Sequence, residues 1–133
     1  MILQRSLTVL VAATLALGCA ELRDMMTLQQ GLVREFNETG INININNRAN
    51  LTVTFSNSPA ADLSDAERAA FARQVAEYVR DHYAHYSTLE TIAVGFSTVT
   101  KTGPITYTNT TVPYRFTPRD LGQPKVSPKK TIT

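Results

Sequence analysis

The sequence predicts an α+β fold, a two-layer sandwich in the order α-β-β-α-β-β, with a four-stranded, mainly antiparallel sheet carrying two helices on one face. Three observations carry this. Two segments repeat apolar residues at three- and four-residue steps, four others alternate at period two, and turn or capping residues separate them. The chain has 133 residues, which is enough for one domain of ordinary size and too few for two. Its 13 Lys+Arg against 11 Asp+Glu leave a charge of +2, so nothing electrostatic argues for nucleic acid as a partner. A single Cys excludes an internal disulfide framework and a Cys-cluster metal site.

The first helix is expected from Glu21 to Asn37. Leu22, Met25, Met26, Gln29, Leu32, Val33 and Phe36 form its apolar face, with Leu28 outside it. Gly31 weakens this helix, and Gly40 is placed to end it. The clearest alternation follows. Ile41, Ile43 and Ile45 interleave with Asn42, Asn44 and Asn46, then Leu51, Val53 and Phe55 with Thr52, Thr54 and Ser56. The polar stretch Asn47-Arg48-Ala49-Asn50 joins them into a hairpin with one apolar face.

Ser64-Asp65-Ala66-Glu67 reads as a capping box opening the second helix, in which a Ser oxygen and a Glu carboxylate each take an orphan backbone N–H. Phe71, Val75, Tyr78, Val79 and His82 form the apolar stripe, while Arg73, Glu77, Arg80 and Asp81 point away. The third strand, Thr91–Thr100, places Ile92, Val94 and Phe96 on one face, and Lys101-Thr102-Gly103-Pro104 turns the chain. The last strand, from Ile105 to about Phe116, changes apolar phase between Ile105/Tyr107 and Val112/Tyr114/Phe116. That change predicts a bulge at Asn109-Thr110-Thr111, and Pro113 an edge position. Residues 19–121 thus make one domain, and the Pro- and Lys-rich segment 122–133 is expected to be a disordered basic tail.

No residue pattern demands catalysis. His82 and His85 lie one helical turn apart, but no third His or HExxH motif accompanies them, so no metal site and no cofactor are expected. Gly95-Phe96-Ser97-Thr98-Val99 starts like a nucleophile elbow but lacks the closing Gly and sits inside a strand. The distinctive feature is the polar sheet face formed by Asn42, Asn44, Asn46, Thr52, Thr54 and Ser56, short uncharged groups suited to a glycan, an extended peptide or a partner sheet. Antiparallel sheets also commonly leave such a face simply wet.

The N-terminus carries an address. Arg5 precedes an uncharged apolar run from Ser6 to Leu17, too short to span a bilayer, and residues 1–18 read as a signal peptide. Leu15-Ala16-Leu17-Gly18-Cys19 resembles the lipobox of bacterial lipoproteins. Gly18 and Cys19 match, while Ala16 stands where Leu is preferred and Leu17 where a small residue is usual. The resemblance implies cleavage before Cys19 and acylation of its thiol and amine, which anchors the chain stably where one acyl chain would not. With Ala20 after the Cys instead of Asp, it also implies the outer membrane, facing the periplasm. The competing expectation is ordinary cleavage after Ala20, releasing a small secreted enzyme or inhibitor with a weak His-based site.

Overall fold

The computed structural model describes residues 20–125, so the expected signal peptide 1–18, Cys19 and residues 126–133 of the expected tail lie outside the described residues. The elements are α1 (residues 20–36), β1 (Ile41–Asn46), β2 (Asn50–Ser56), α2 (Asp65–His82), β3 (Thr91–Thr102), β4 (Ile105–Thr110), β5 (Tyr114–Phe116) and a short α3 (Pro118–Leu121). The sheet order is β1-β2-β3-β4, with β5 also paired to β3. Three pairings are antiparallel, and β2–β3 is parallel because α2 carries the chain back across the sheet. The predicted α+β architecture is the one observed, with one strand more than expected.

That extra strand is the predicted bulge. Between Val94 and Ser97, β3 advances three residues while its partner advances four, from Tyr114 back to Thr110. The surplus residue falls within 111–113, just past the expected place. Thr111 mends the ladder. Its N–H donates to the Phe96 carbonyl at 2.9 Å, and its hydroxyl accepts from the Phe96 N–H at 3.2 Å. β4 and β5 therefore occupy one sheet position, broken at the bulge.

The core lies between the helices and one sheet face. Ile41, Ile43, Leu51, Val53, Phe55, Ile92, Val94 and Phe96 are buried there against Leu28 and Leu32 of α1 and Ala72, Val75, Ala76 and Val79 of α2. Two sequence expectations fail in α1. Leu28, set outside the apolar face, is 2% exposed, while Leu22 and Met26, set within it, are 59% and 51% exposed. The helix carries two apolar stripes at helical spacing, and periodicity alone does not say which one meets the sheet. In α2, His82 is exposed and Arg80 is buried, the reverse of their expected places. His82 sits in the last turn, stacked on Tyr78 with ring centroids 3.9 Å apart. Arg80 is covered by the C-terminal segment, a contact invisible to local periodicity.

Turns and caps obey backbone chemistry more closely than residue type suggests. Asn37, at φ 53°, is the left-handed residue after α1; Gly40 instead enters β1, where a Cβ would lie 2.5 Å from the Ser56 carbonyl oxygen. Asn47 and Arg48, at φ 54° and 58°, turn the β1–β2 hairpin, and Gly103, at φ 61°, the β3–β4 hairpin. Beyond Ser97 that second hairpin leaves the body of the sheet, and residues 100–110 are exposed throughout, including Ile105 and Tyr107. Ser64 caps α2 through the Glu67 N–H, but the reciprocal half of the expected box is not formed. The complete capping box is Thr117–Asp120 at α3.

Gly31 permits the approach of α1 to α2: a Cβ there would collide with the Tyr78 hydroxyl. Gly31→Ala should therefore destabilise the fold by about 1–3 kcal/mol, although Ala is the better helix former. Combining it with Tyr78→Phe should restore most of the loss, and urea denaturation of the four variants measures this.

Candidate functional site

The six residues of the expected binding face are brought together. β1 and β2 register Asn42 with Thr54 and Asn44 with Thr52, and β2 and β3 register Thr52 with Ala93, Thr54 with Gly95 and Ser56 with Ser97. Period-two alternation places all of them on the side opposite the helices. Asn42, Asn44 and Asn46 are exposed, and Thr52, Thr54 and Ser56 are half-buried. On β3 the row continues as Ala93, Gly95 and Ser97, all buried, with Pro113 packed 3.7 Å from where a Gly95 Cβ would stand. The face is a bed of amides and hydroxyls grading into small side chains, an arrangement that can exchange hydrogen bonds but offers no nucleophile–base pair. Ser97 lies mid-strand over the sheet, so the elbow-like sequence forms no strand-to-helix turn.

The two histidines part company. The ring of His82 hydrogen-bonds through Nδ1 with the Tyr78 carbonyl at 3.0 Å, while His85 Nε2 meets Asp24 Oδ2 at 2.8 Å, linking the α2–β3 loop to α1. Among the described residues, no three His, Cys, Asp or Glu side chains gather as a metal site would require. Arg48 pairs with Glu21 at 3.2 Å close by, so α1 is tied through Glu21 and Asp24 to the hairpin tip and the loop. Burial raises the pKa of the neighbouring Tyr83 phenol.

The group that local pattern missed is Arg80, only 4% exposed. Its Nη1 donates to the Leu121 carbonyl at 2.7 Å, and its Nε and Nη2 grip both carboxylate oxygens of Asp81 at 2.9 and 3.1 Å. Glu77 Oε2 stands 3.7 Å away. Asp81 also accepts the Lys125 N–H at 2.9 Å, and the Tyr86 hydroxyl donates to the Gly122 carbonyl at 2.9 Å. Residues 122–125, at the start of the expected tail, thus lie along α2. Between them and the α2–β3 loop opens a cleft of about 740 Å³ lined by Asp81, His82, Tyr83, Arg119 and Gln123. The hydrogen bond from Arg80 holds the Asp81 carboxyl below the usual carboxylate range and makes the guanidinium harder to deprotonate. Burial pushes the Tyr86 phenol up. Each of the three guanidinium nitrogens of Arg80 bonds to a protein group, and the bond to Leu121 fastens the C-terminal segment.

No family model matches this chain, and none of the curated proteins or solved structures compared with it matches either.

Because the folded-state pKa of Asp81 is depressed, its contribution to stability is complete above the unfolded-state value. It is lost as pH falls through the folded-state value. Acid titration of the unfolding free energy should therefore show a decline below the ordinary carboxylate range that is weaker in Asp81→Asn. Arg80→Met should cost about 1–3 kcal/mol and leave 122–125 susceptible to proteolysis under native conditions.

Proposed function

We propose that this chain is an envelope lipoprotein. Acylated Cys19 anchors it, and its α+β domain acts as a non-enzymatic binding or assembly module at the outer membrane, facing the periplasm. The observation that carries the reading lies in the sequence: the apolar leader ends at Gly18-Cys19, and Cys19 is the chain's only thiol. A thioether needs a thiol at that place, and two or more acyl chains make the attachment durable. The pairs Glu21–Arg48 and Asp24–His85 support it, since they tie the helix next to the anchor to the domain. For a partner, the reading favours an envelope protein or a glycan, because the open face from Asn42 to Ser56 is uncharged and rich in hydrogen-bonding groups.

Expressed with its leader, the chain should fractionate with membranes and incorporate a palmitate analogue, and Cys19→Ala should abolish both. An intact mass beginning at an unmodified Glu21 would overturn the anchor in favour of a released protein. For the binding face, the exposed Asn44→Arg should deplete captured envelope partners at least about tenfold, the cost of burying one unpaired charge at a contact. Unchanged capture by Asn44→Arg and Thr54→Arg would count against that face.

A further inference from the structure

Three segments carry the pattern Asn-x-Thr, in which an amide and a hydroxyl two residues on together make an acceptor for an N-linked glycan. They are Asn37-Glu38-Thr39, Asn50-Leu51-Thr52 and Asn109-Thr110-Thr111. So short a pattern recurs by chance in a chain rich in Asn and Thr, and the fold has to distinguish them. A transferase must reach the amide and the hydroxyl together.

Two of the three fail that requirement. Asn50 opens β2, and its Oδ1 accepts the Thr91 hydroxyl at 2.6 Å. Thr52 is half-buried in the strand between β1 and β3. Asn109 is exposed, but it lies within β4 in register with Thr98. The Thr111 hydroxyl that should assist it is taken up by the Phe96 backbone, accepting from the N–H and donating to the carbonyl, each at 3.2 Å.

The third is open. Residues 37–40 join α1 to β1 without regular structure, and Asn37 and Thr39 are both exposed. Glu38, between them, turns inward. Its Oε1 accepts the Ser58 hydroxyl at 2.5 Å, and its Oε2 is buried. That bond holds the middle of the loop against the domain and leaves its two neighbours outside. The chain turns sharply at Asn37, at φ 53°, a conformation Asn tolerates better than most residues. A transferase therefore meets a bent loop instead of a paired strand. Two residues earlier Glu35 is exposed in the last turn of α1, and it makes no ion pair among the described residues. It gives the loop a carboxylate that a cationic groove can hold.

We propose that Asn37 is the acceptor of an N-linked glycan, transferred to the folded domain from a polyprenyl diphosphate carrier, with Glu35 as the charged contact the transferase reads. Asn37 Nδ2 attacks the anomeric carbon of the first sugar. A C–N bond forms as the C–O bond to the diphosphate breaks. Polyprenyl diphosphate leaves with the electron pair, and the amide gives up one proton to a base of the transferase. The proposal rests on the envelope reading only for the compartment in which chain and carrier meet.

The purified full chain in mild detergent, incubated with a bacterial oligosaccharyltransferase and an undecaprenyl-diphosphate-linked oligosaccharide, tests this. Intact mass should rise by one glycan, and peptide mapping should place it on Asn37. Asn37→Gln and Thr39→Ala should abolish transfer, and Thr39→Ser should retain it. Glu35→Gln should slow it at least about tenfold, the effect of losing one charge-assisted hydrogen bond. No transfer to the folded chain, whether or not a free peptide of residues 33–41 is modified, overturns the proposal. So does a glycan on Asn50 or Asn109, and so does a Glu35→Gln rate equal to the parent's. Transfer at Asn37 in a chain that never incorporates the palmitate analogue keeps the site and removes the anchor instead.

Discussion

Four phenylalanine rings, one from each of four elements, hold this fold together. Phe36 of α1 lies 5.4 Å from Phe71 of α2 and 6.2 Å from Phe55 of β2, and Phe71 lies 5.3 Å from Phe55 and 6.0 Å from Phe96 of β3. Most of these contacts are edge-on, the arrangement the ring quadrupole favours, and each contributes about 0.5–1.5 kcal/mol beyond its buried area. The parallel pairing of β2 with β3 depends on this cluster, because only a well-seated α2 can return the chain across the sheet. Gly31 belongs to the same constraint, since α1 reaches Phe71 only where its backbone can close on Tyr78.

Each of those four rings was assignable to an apolar face from spacing alone, and so were the two hairpins, the bulge and the six-residue polar face. Period two and the helical repeat are local, and they survive into the fold wherever one face meets the core. What spacing did not reveal was set by distant partners. Leu28 and Leu22 differ little in local context. The sheet selects the stripe of Leu28 and Leu32, and Leu22 is left outside. Arg80 has the sequence context of a surface residue and becomes interior because Leu121, some forty positions on, offers it a carbonyl. The His82–His85 spacing likewise meant little once Asp24, from another helix, took up His85.

The sheet divides the molecule's tasks. Its helix side is dry and aromatic. Its other side is wet, uncharged and unobstructed from β1 to β2, passing into small buried residues on β3. Fastening falls to polar and charged groups at the perimeter: Glu21, Arg48, Asp24 and His85 at one end of the helical layer, and Arg80 with Asp81 where the C-terminal segment closes over α2. Buried guanidinium–carboxylate pairs add little net stability over apolar packing, but they hold one geometry among many. Here that geometry shapes the cleft beside Tyr83 and Arg119.

The protruding β3–β4 hairpin gives the domain a direction. β3 starts level with the β1–β2 turn, where Thr91 is in register with Asn50 and where Glu21 of α1 pairs with Arg48. Its eleven steps to Thr102 cover about 36 Å at the usual rise of a strand, and the exposed tip, with Ile105 and Tyr107, is at the opposite pole from Glu21 of α1. Were the chain anchored at Cys19 as proposed above, the hairpin would stand as a mast, its strands running away from the bilayer and its tip several nanometres out, where a partner assembly would meet it first.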